Sequence, residues 1–333
     1  MKYDVVTIGD ASEDIFIKPQ GLKSEKNRRF GSRKSVTFEL GEKIPVENVD
    51  YAVGGSACNT AVGFSRMSLV VSTIVALGED FPAEKILEKL NSEGINTSNI
   101  IQKSELESHF SVIMNVGSDR TIFVYRGLKN YSWLTPKKSL NPKWFYLGPM
   151  GDNIADIHNR IVEKVSEKNV KVAWNPGSHQ IDKKIRSYKA LAKNCDVLFL
   201  NRSEAMKFLT VPTGSNVKDL LKKIFQFGPK IVVITKGEEG AECFDGERFY
   251  SIESYQTDIV DVTGAGDSFA CGFLSKLIES KEISRDAIEE ALKWGIFNSS
   301  SVIGKVGAQR GLLNRDEVQE YIEKNPRFVI EVN

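Results

Sequence analysis

The chain has 333 residues, 41% of them hydrophobic and 27% charged, enough for one large α/β domain with an excursion or for two domains, and far from the composition of a disordered chain. Its 45 Lys and Arg against 44 Asp and Glu leave a formal charge of +1, so no summed field draws it to nucleic acid or to an anionic membrane. The four cysteines, Cys58, Cys195, Cys243 and Cys271, lie far apart with no Cys-x-x-Cys, which argues against zinc and a disulfide framework and for a reducing cytosol.

From Met1 the chain enters Tyr3-Asp-Val-Val-Thr-Ile-Gly9, which is strand-like and too short for a secretory leader. The longest apolar run, Leu69 to Leu77, is half of a membrane span, so a cytoplasmic protein is expected. Short β-branched runs follow in chain order at Val5–Gly9, Val70–Gly78, Trp144–Gly148, Val170–Trp174, Val197–Asn201 and Ile231–Thr235. Uninterrupted apolar runs of this length suit strands buried on both faces. Amphipathic stretches alternate with them at Phe81–Glu93, Ile154–Lys168 and Val217–Phe227, and three more run from Gly266 to the end. That order predicts a doubly wound, mostly parallel sheet flanked by helices.

Two segments break the alternation and read as antiparallel. Residues 15–53 hold a basic loop, Lys23–Lys34, and short strands at Val36–Phe38 and Pro45–Val53. Phe110–Val116, Gly-Ser-Asp-Arg and Thr121–Arg126 read as a hairpin. Together they predict a small β-sheet lid from residues 15–53 and 110–126, set on a core of 1–14, 54–109 and 127–333. The basic run lacks interleaved aromatics beyond Phe30, so it reads as a solvated loop rather than a nucleic-acid surface.

The strongest chemical signal is Asp261-Val-Thr-Gly-Ala-Gly-Asp267, a glycine-rich turn opening a helix. Free N–H groups at Gly264, Ala265 and Gly266, with the helix dipole behind them, form an anion site suited to a phosphoryl group. Asp267 beside it can take a proton from a hydroxyl; a carboxylate that merely complements the helix dipole is the simpler alternative. A second turn, Gly54-Gly-Ser-Ala-Cys-Asn59-Thr-Ala, again precedes a helix and places an amide where it can bond sugar hydroxyls as donor and acceptor. His109, His158 and His179 are scattered, as structural or surface histidines are. Trp174-Asn-Pro-Gly-Ser178 ends a core strand at the ligand edge of such a sheet. Arg126, closing the hairpin, is a candidate contact to a negative substrate or a solvated arginine.

These two motifs, in this order, resemble the signatures of the ribokinase, or PfkB, family of carbohydrate and nucleoside kinases. Gly54, Gly55, Ala57, Asn59, Ala61, Ser68 and Gly78 match the first; Asp261, Gly264, Ala265, Gly266, Asp267 and Gly272 match the second, where Cys271 departs from the usual small residue. The resemblance implies a ribokinase-like fold and an ATP-dependent phosphotransferase acting on a sugar hydroxyl, with magnesium. It implies Asp267 as general base and Gly264–Gly266 as anion hole. Asp14, Gly54, Gly55 and Asn59 would hold the substrate, with Gly54-Gly55 as the hinge of the lid. Asn201 and Glu204 would organise magnesium, indirectly, and the phosphates, while Thr235, Gly237, Gly240 and Asn298 would line the nucleotide. Asp261 falls where some members bind potassium. Pro149-Met-Gly-Asp152 stands where ribokinase carries a ribose-binding glutamate, which argues against ribose itself. Several members clasp two lids across a two-fold axis, which implies a homodimer through the lid. A nucleoside kinase is the alternative within the family, and a nucleotide-binding regulator without catalysis the alternative outside it. A dinucleotide enzyme fails because no glycine turn follows the first strand and Asp267 would face the pyrophosphate.

Overall fold

The computed structural model describes residues 2–27, 33–117, 119–168, 170–280 and 282–333. Residues 28–32 of the basic run, and Ser118 in the expected hairpin turn, lie outside the described residues.

The core strands in chain order are β1 (Val5–Ile8), β4 (Val71–Ile74), β7 (Trp144–Leu147), β8 (Lys171–Trp174), β9 (Val197–Asn201), β10 (Ile231–Thr235), β11 (Ala241–Phe244), β12 (Phe249–Ile252) and β13 (Glu331–Val332). They form one sheet in the order β13-β12-β11-β10-β9-β8-β7-β1-β4. From β4 to β10 every pairing is parallel, and from β10 to β13 every pairing is antiparallel. All four residues of β1, β4 and β7 are buried, as their apolar runs require of strands covered on both faces. The chain leaves β1 to one side for β4 and later returns to its other side for β7. The crevice at the carboxyl end of β1 is therefore the switch point where ligands bind in open α/β sheets.

Helices α1 (Ser56–Arg66), α2 (Phe81–Ser92), α3 (Ala155–Lys168), α4 (Arg202–Leu209), α5 (Val217–Phe225), α6 (Ala265–Glu279), α7 (Arg285–Ile303) and α8 (Arg315–Lys324) flank the sheet. Helix α1 is pinned to it by buried Thr7, whose hydroxyl lies 2.9 Å from the Ala57 carbonyl and 2.8 Å from the Thr73 hydroxyl. Adding a Cβ at Gly63 of α1 would strike the sulfur of Cys271 on α6, so the departure at Cys271 is matched by the absence of a side chain opposite. Burial drives the Cys271 thiol upward in pKa, which leaves it an inert packing group.

A separate small sheet is built from β2 (Ser12–Pro19), β3 (Val46–Gly54), β5 (His109–Val116) and β6 (Asp119–Tyr125), in the order β6-β5-β2-β3. The β2–β3 and β5–β6 pairings are antiparallel, but β2 pairs with β5 in parallel, Ser12 opposite His109 through Ile17 opposite Met114. Both of those strands enter from the carboxyl edge of the core, so they must run the same way. The strand expected at Val36–Phe38 is absent; a short pairing of Glu25–Asn27 with Arg33–Ser35 stands just before it, leaving Phe38 exposed.

Candidate active site

The two glycine turns meet across the crevice. Gly55 caps α1 at φ 84 and Gly264 caps α6 at φ 77, a left-handed backbone that glycine adopts without the strain a Cβ brings. A Cβ on Gly55 would collide with the backbone of Asp10 and Ala11, and one on Gly264 with Ala308. Gly55 is thus held tightly against the end of β1, and any hinge through it turns as a packed joint. Nothing lies within 4 Å of the position a Cβ of Gly266 would take, so that turn is open to a ligand.

Asp267, in the first turn of α6, is held by the first motif. Its Oδ1 accepts from Ser56 Oγ at 2.5 Å and its Oδ2 from Asn59 Nδ2 at 2.9 Å. Burial pushes its carboxyl above the usual range, and the Asn59 and Ser56 donors pull it back down. The Asn59 Oδ1 in turn accepts from Gln309 Nε2 at 3.0 Å. Ser56 escaped the sequence reading because a serine in a glycine turn looks like an ordinary cap.

A cavity of about 230 Å³ opens in front of α6, lined by Asn175, Asn201, Glu204 and Thr235 together with Gly264–Asp267. Each of these first four residues stands at or just beyond the carboxyl end of β8, β9 or β10. Asn201 caps α4, accepting from Glu204 N at 2.8 Å, while Glu204 Oε2 accepts from Asn201 N at 2.8 Å. That capping box orients the Glu204 carboxylate. Burial and the nearby Asp267 charge raise its pKa, against the opposing pull of the Asn201 backbone bond. Asn175 was flagged in sequence only as part of a strand-end turn; its amide is fixed by the Phe199 carbonyl at 3.1 Å.

Other expected residues fall elsewhere. Gly237 and Gly240 flank a single 3-10 turn after β10, beside a separate surface cleft that includes Lys236, Glu238 and Glu239. Asn298 is fully buried in α7, its amide donating to the Ser268 carbonyl and accepting from Leu313 N, so it braces α6 and does not reach the cavity. Asp14 is buried on β2; its carboxylate accepts from Ser12 Oγ at 3.2 Å, and a Cβ on Gly54 would run into it. Burial raises its pKa, opposed by hydrogen bonds from Ser111 and Ser12.

Asp10, at the end of β1, belongs to the same crevice and was missed in sequence. Tyr131 donates to it at 2.5 Å, and His109 stands 3.8 Å away. Burial raises the Asp10 pKa and lowers that of His109. His158 is wedged between Trp174 and Tyr188 and pushed down to about 4 by burial, while His179 lies at the surface beside Asp152.

Asp261 closes the site from above. Its Oδ1 accepts from Thr263 N (2.9 Å), Thr263 Oγ1 (2.7 Å) and the Arg120 guanidinium, and its Oδ2 from Gly307 N (3.0 Å). Burial raises this carboxyl, but those donors hold it below the usual range. Both oxygens are turned to donors, one of them a cation, so the residue does not fit a potassium ligand. Among the described residues no group of three or more His, Cys, Asp or Glu could cage a metal, and no helix is long and apolar enough to cross a membrane.

A model of the pfkB family carbohydrate kinase matches residues 25–315. The ribokinase of Staphylococcus aureus is 28% identical over 290 residues, covering 84% of this chain and 91% of that protein. The cytidine kinase of Thermococcus kodakarensis is 25% identical over 309 residues, 91% of this chain and 97% of its own. In fold, the nucleoside kinase of Methanocaldococcus jannaschii superposes with a TM-score of 0.78 at 22% identity, covering 97% of this chain and 99% of its own. The Arabidopsis thaliana ribokinase complexed with ribose and ATP gives 0.79 at 20% identity, with the same coverage.

Proposed function

We propose a mechanism and a substrate class for this chain, which belongs to the pfkB family of carbohydrate kinases and is thereby a phosphotransferase with an alcohol acceptor. The phosphoryl donor is ATP, and the acceptor is an unphosphorylated sugar, sugar derivative or nucleoside. The observation that carries the reading is the Asp267 carboxylate, fixed by Ser56 and Asn59 beside a glycine turn that is open at Gly266.

The acceptor sits over Asp14, Gly54 and Asn59 with one hydroxyl turned to Asp267. Asp267 takes the hydroxyl proton as the oxygen forms its bond to the γ-phosphorus and the bond from that phosphorus to the β,γ-bridging oxygen breaks. Charge spread over the transferred group is met by the N–H groups of Gly264, Ala265 and Gly266 and by the helix behind them. The phosphates lie in the cavity lined by Asn175, Asn201 and Thr235. Glu204, a single oriented carboxylate facing that cavity, fits magnesium, which binds through few carboxylates plus phosphate oxygens and keeps several waters. Magnesium would neutralise charge on the phosphates, and Glu204 would hold it through its waters.

Carboxylates at Asp10 and Asp14, with the Ser12 and Ser111 hydroxyls and Tyr131, favour a neutral polyol over a sugar phosphate. ADP release measured with pentoses, hexoses, 2-keto-3-deoxygluconate, nucleosides and their phosphates tests this. Turnover with neutral acceptors is expected; turnover with sugar phosphates alone would overturn the acceptor class, and none with any acceptor would overturn the mechanism.

A further inference from the structure

Tyr146, the third residue of β7, is fully buried, and the mechanism above does not use it. Its hydroxyl is closed to water and makes no hydrogen bond with the chain. Buried hydroxyls are ordinarily satisfied, so an orphan beside the reacting groups needs a partner.

The sheet register fixes the face on which the side chain lies. Tyr146 pairs with Thr7 across to β1, and residues paired in neighbouring strands present their side chains to the same face. Thr7 bonds the Ala57 carbonyl in the first turn of α1, so the phenol lies on the α1 face as well. Its ring meets Phe64 of α1 edge-on, with centroids 5.8 Å apart, and it shares a core cluster with Ala57 and Cys271. Two residues further along that face, Gly148 continues the ladder by donating to the Ile8 carbonyl. The place its missing Cβ would take is 3.2 Å from Ser56 Oγ, so Ser56 stands over the carboxyl end of β7, one step beyond Tyr146. Burial and the Asp267 charge raise the pKa of the phenol, and the Ser56 hydroxyl acts against them. The phenol therefore keeps its proton and has it to donate.

Ser56 spends its one hydrogen on Asp267 Oδ1, which leaves the lone pairs of its oxygen free to accept. We propose that Tyr146 is a positioning residue for the base: as the site closes on its acceptor, the phenol donates to Ser56 Oγ, and Tyr146, Ser56 and Asp267 become a chain of hydroxyl donors ending on the carboxylate. Hydrogen bonds in such a chain polarise one another, so the bond from Tyr146 strengthens the bond from Ser56. No proton passes along it. Both hydroxyls keep their hydrogens, and Asp267 still takes its proton from the acceptor. The relay favours the ionised carboxylate, and it rests on the reading of Asp267 as the base.

The acid limb of the pH–rate profile, measured on the full chain with an acceptor it turns over, tests the relay through Tyr146→Phe, Ser56→Ala and the double variant. Phenylalanine keeps the ring and its contact with Phe64, and the hydroxyl it removes has no bond to lose in the resting protein. Tyr146→Phe should therefore melt at the wild-type temperature or above. Its acid limb should move to higher pH by about 0.2–0.5 unit, with turnover at alkaline pH and the nucleotide KM within about twofold of wild type. In the Ser56→Ala background the same change should move the limb no further. An unmoved limb in Tyr146→Phe, with Ser56→Ala still shifting it, marks a packing role, overturns the relay and leaves the base in place. An equal shift with and without Ser56 also overturns it, because Tyr146 would then act on Asp267 directly. If Ser56→Ala itself leaves the limb where it was, the fault lies in the reading of Asp267 as the titrating base, and the relay falls with it.

Discussion

The Arg120 guanidinium on β6, the outer strand of the small sheet, meets the carboxylate of Asp261, which opens the loop into α6. The pair joins lid to core. With Asp261 buried and Arg120 about three-tenths exposed, it is worth about 1 kcal/mol, roughly fivefold in an equilibrium. Arg120→Met should raise the acceptor KM by about that factor and increase ATP hydrolysis without acceptor, since a looser lid admits water. Asp261→Asn should do the same, and the double variant should be no worse than either single one. Unchanged KM in both would show that the contact does not hold the lid.

Asp267→Asn keeps the shape of the base and removes its ability to take a proton. A fall in turnover of roughly 10²-fold or more is expected, with nucleotide affinity changed only a few-fold. Retention of more than about a tenth of wild-type turnover would reassign the base.

The acid limb of the pH–rate profile tests the same residue from another side. Asp267 must be ionised to act, and burial sets its pKa above the usual carboxylate range, so activity should fall as pH drops through that raised value. The Ser56 hydroxyl stabilises the ionised form. Ser56→Ala should therefore raise the pKa further and move the limb to higher pH, leaving the rate at alkaline pH less affected. A limb that stays in place would mean that another group titrates.

Self-association through the lid is the fourth expectation. Among the described residues no further strand pairs with either edge of the small sheet, and Tyr51 on β3 and Ile122, Phe123, Val124 and Tyr125 on β6 are exposed. Light scattering at micromolar concentration should give twice the mass of one chain, and Phe123→Glu should return it to one. Met114 on β5 is covered within the chain, so the test rests on β6.

Core strands were legible because burial on both faces writes an unbroken apolar run, as at Val197–Leu200. The antiparallel pair β11 and β12 was missed: each is four residues long and carries polar positions such as Glu242 and Ser251. Lid pairings were less legible still, since β2 mixes Glu13, Asp14 and Lys18 with apolar residues and its partners lie far away in sequence. At the site, Asp267, Asn59 and Asn201 could be read from local turns that need those residue types. Asp10 and Ser56 could not, because their roles exist only where separate segments meet. Asn298, expected at the nucleotide from the family resemblance, has both ends of its amide occupied within the chain, a pairing that only the packed helices reveal.

The parallel pairing of Ser12–Ile17 with His109–Met114 has a kinetic consequence. The lid's central ladder joins segments about a hundred residues apart, so the intervening chain must be ordered before its closure entropy is repaid. Strand β2 emerges early in synthesis yet waits unpaired on that side until β4, α1 and α2 have folded. The lid should then acquire amide protection last on refolding and lose it first under mild denaturant, while the sheet beneath still holds. A chain halted at that stage would carry a finished phosphate cradle with no cover, able to meet nucleotide before it can enclose an acceptor.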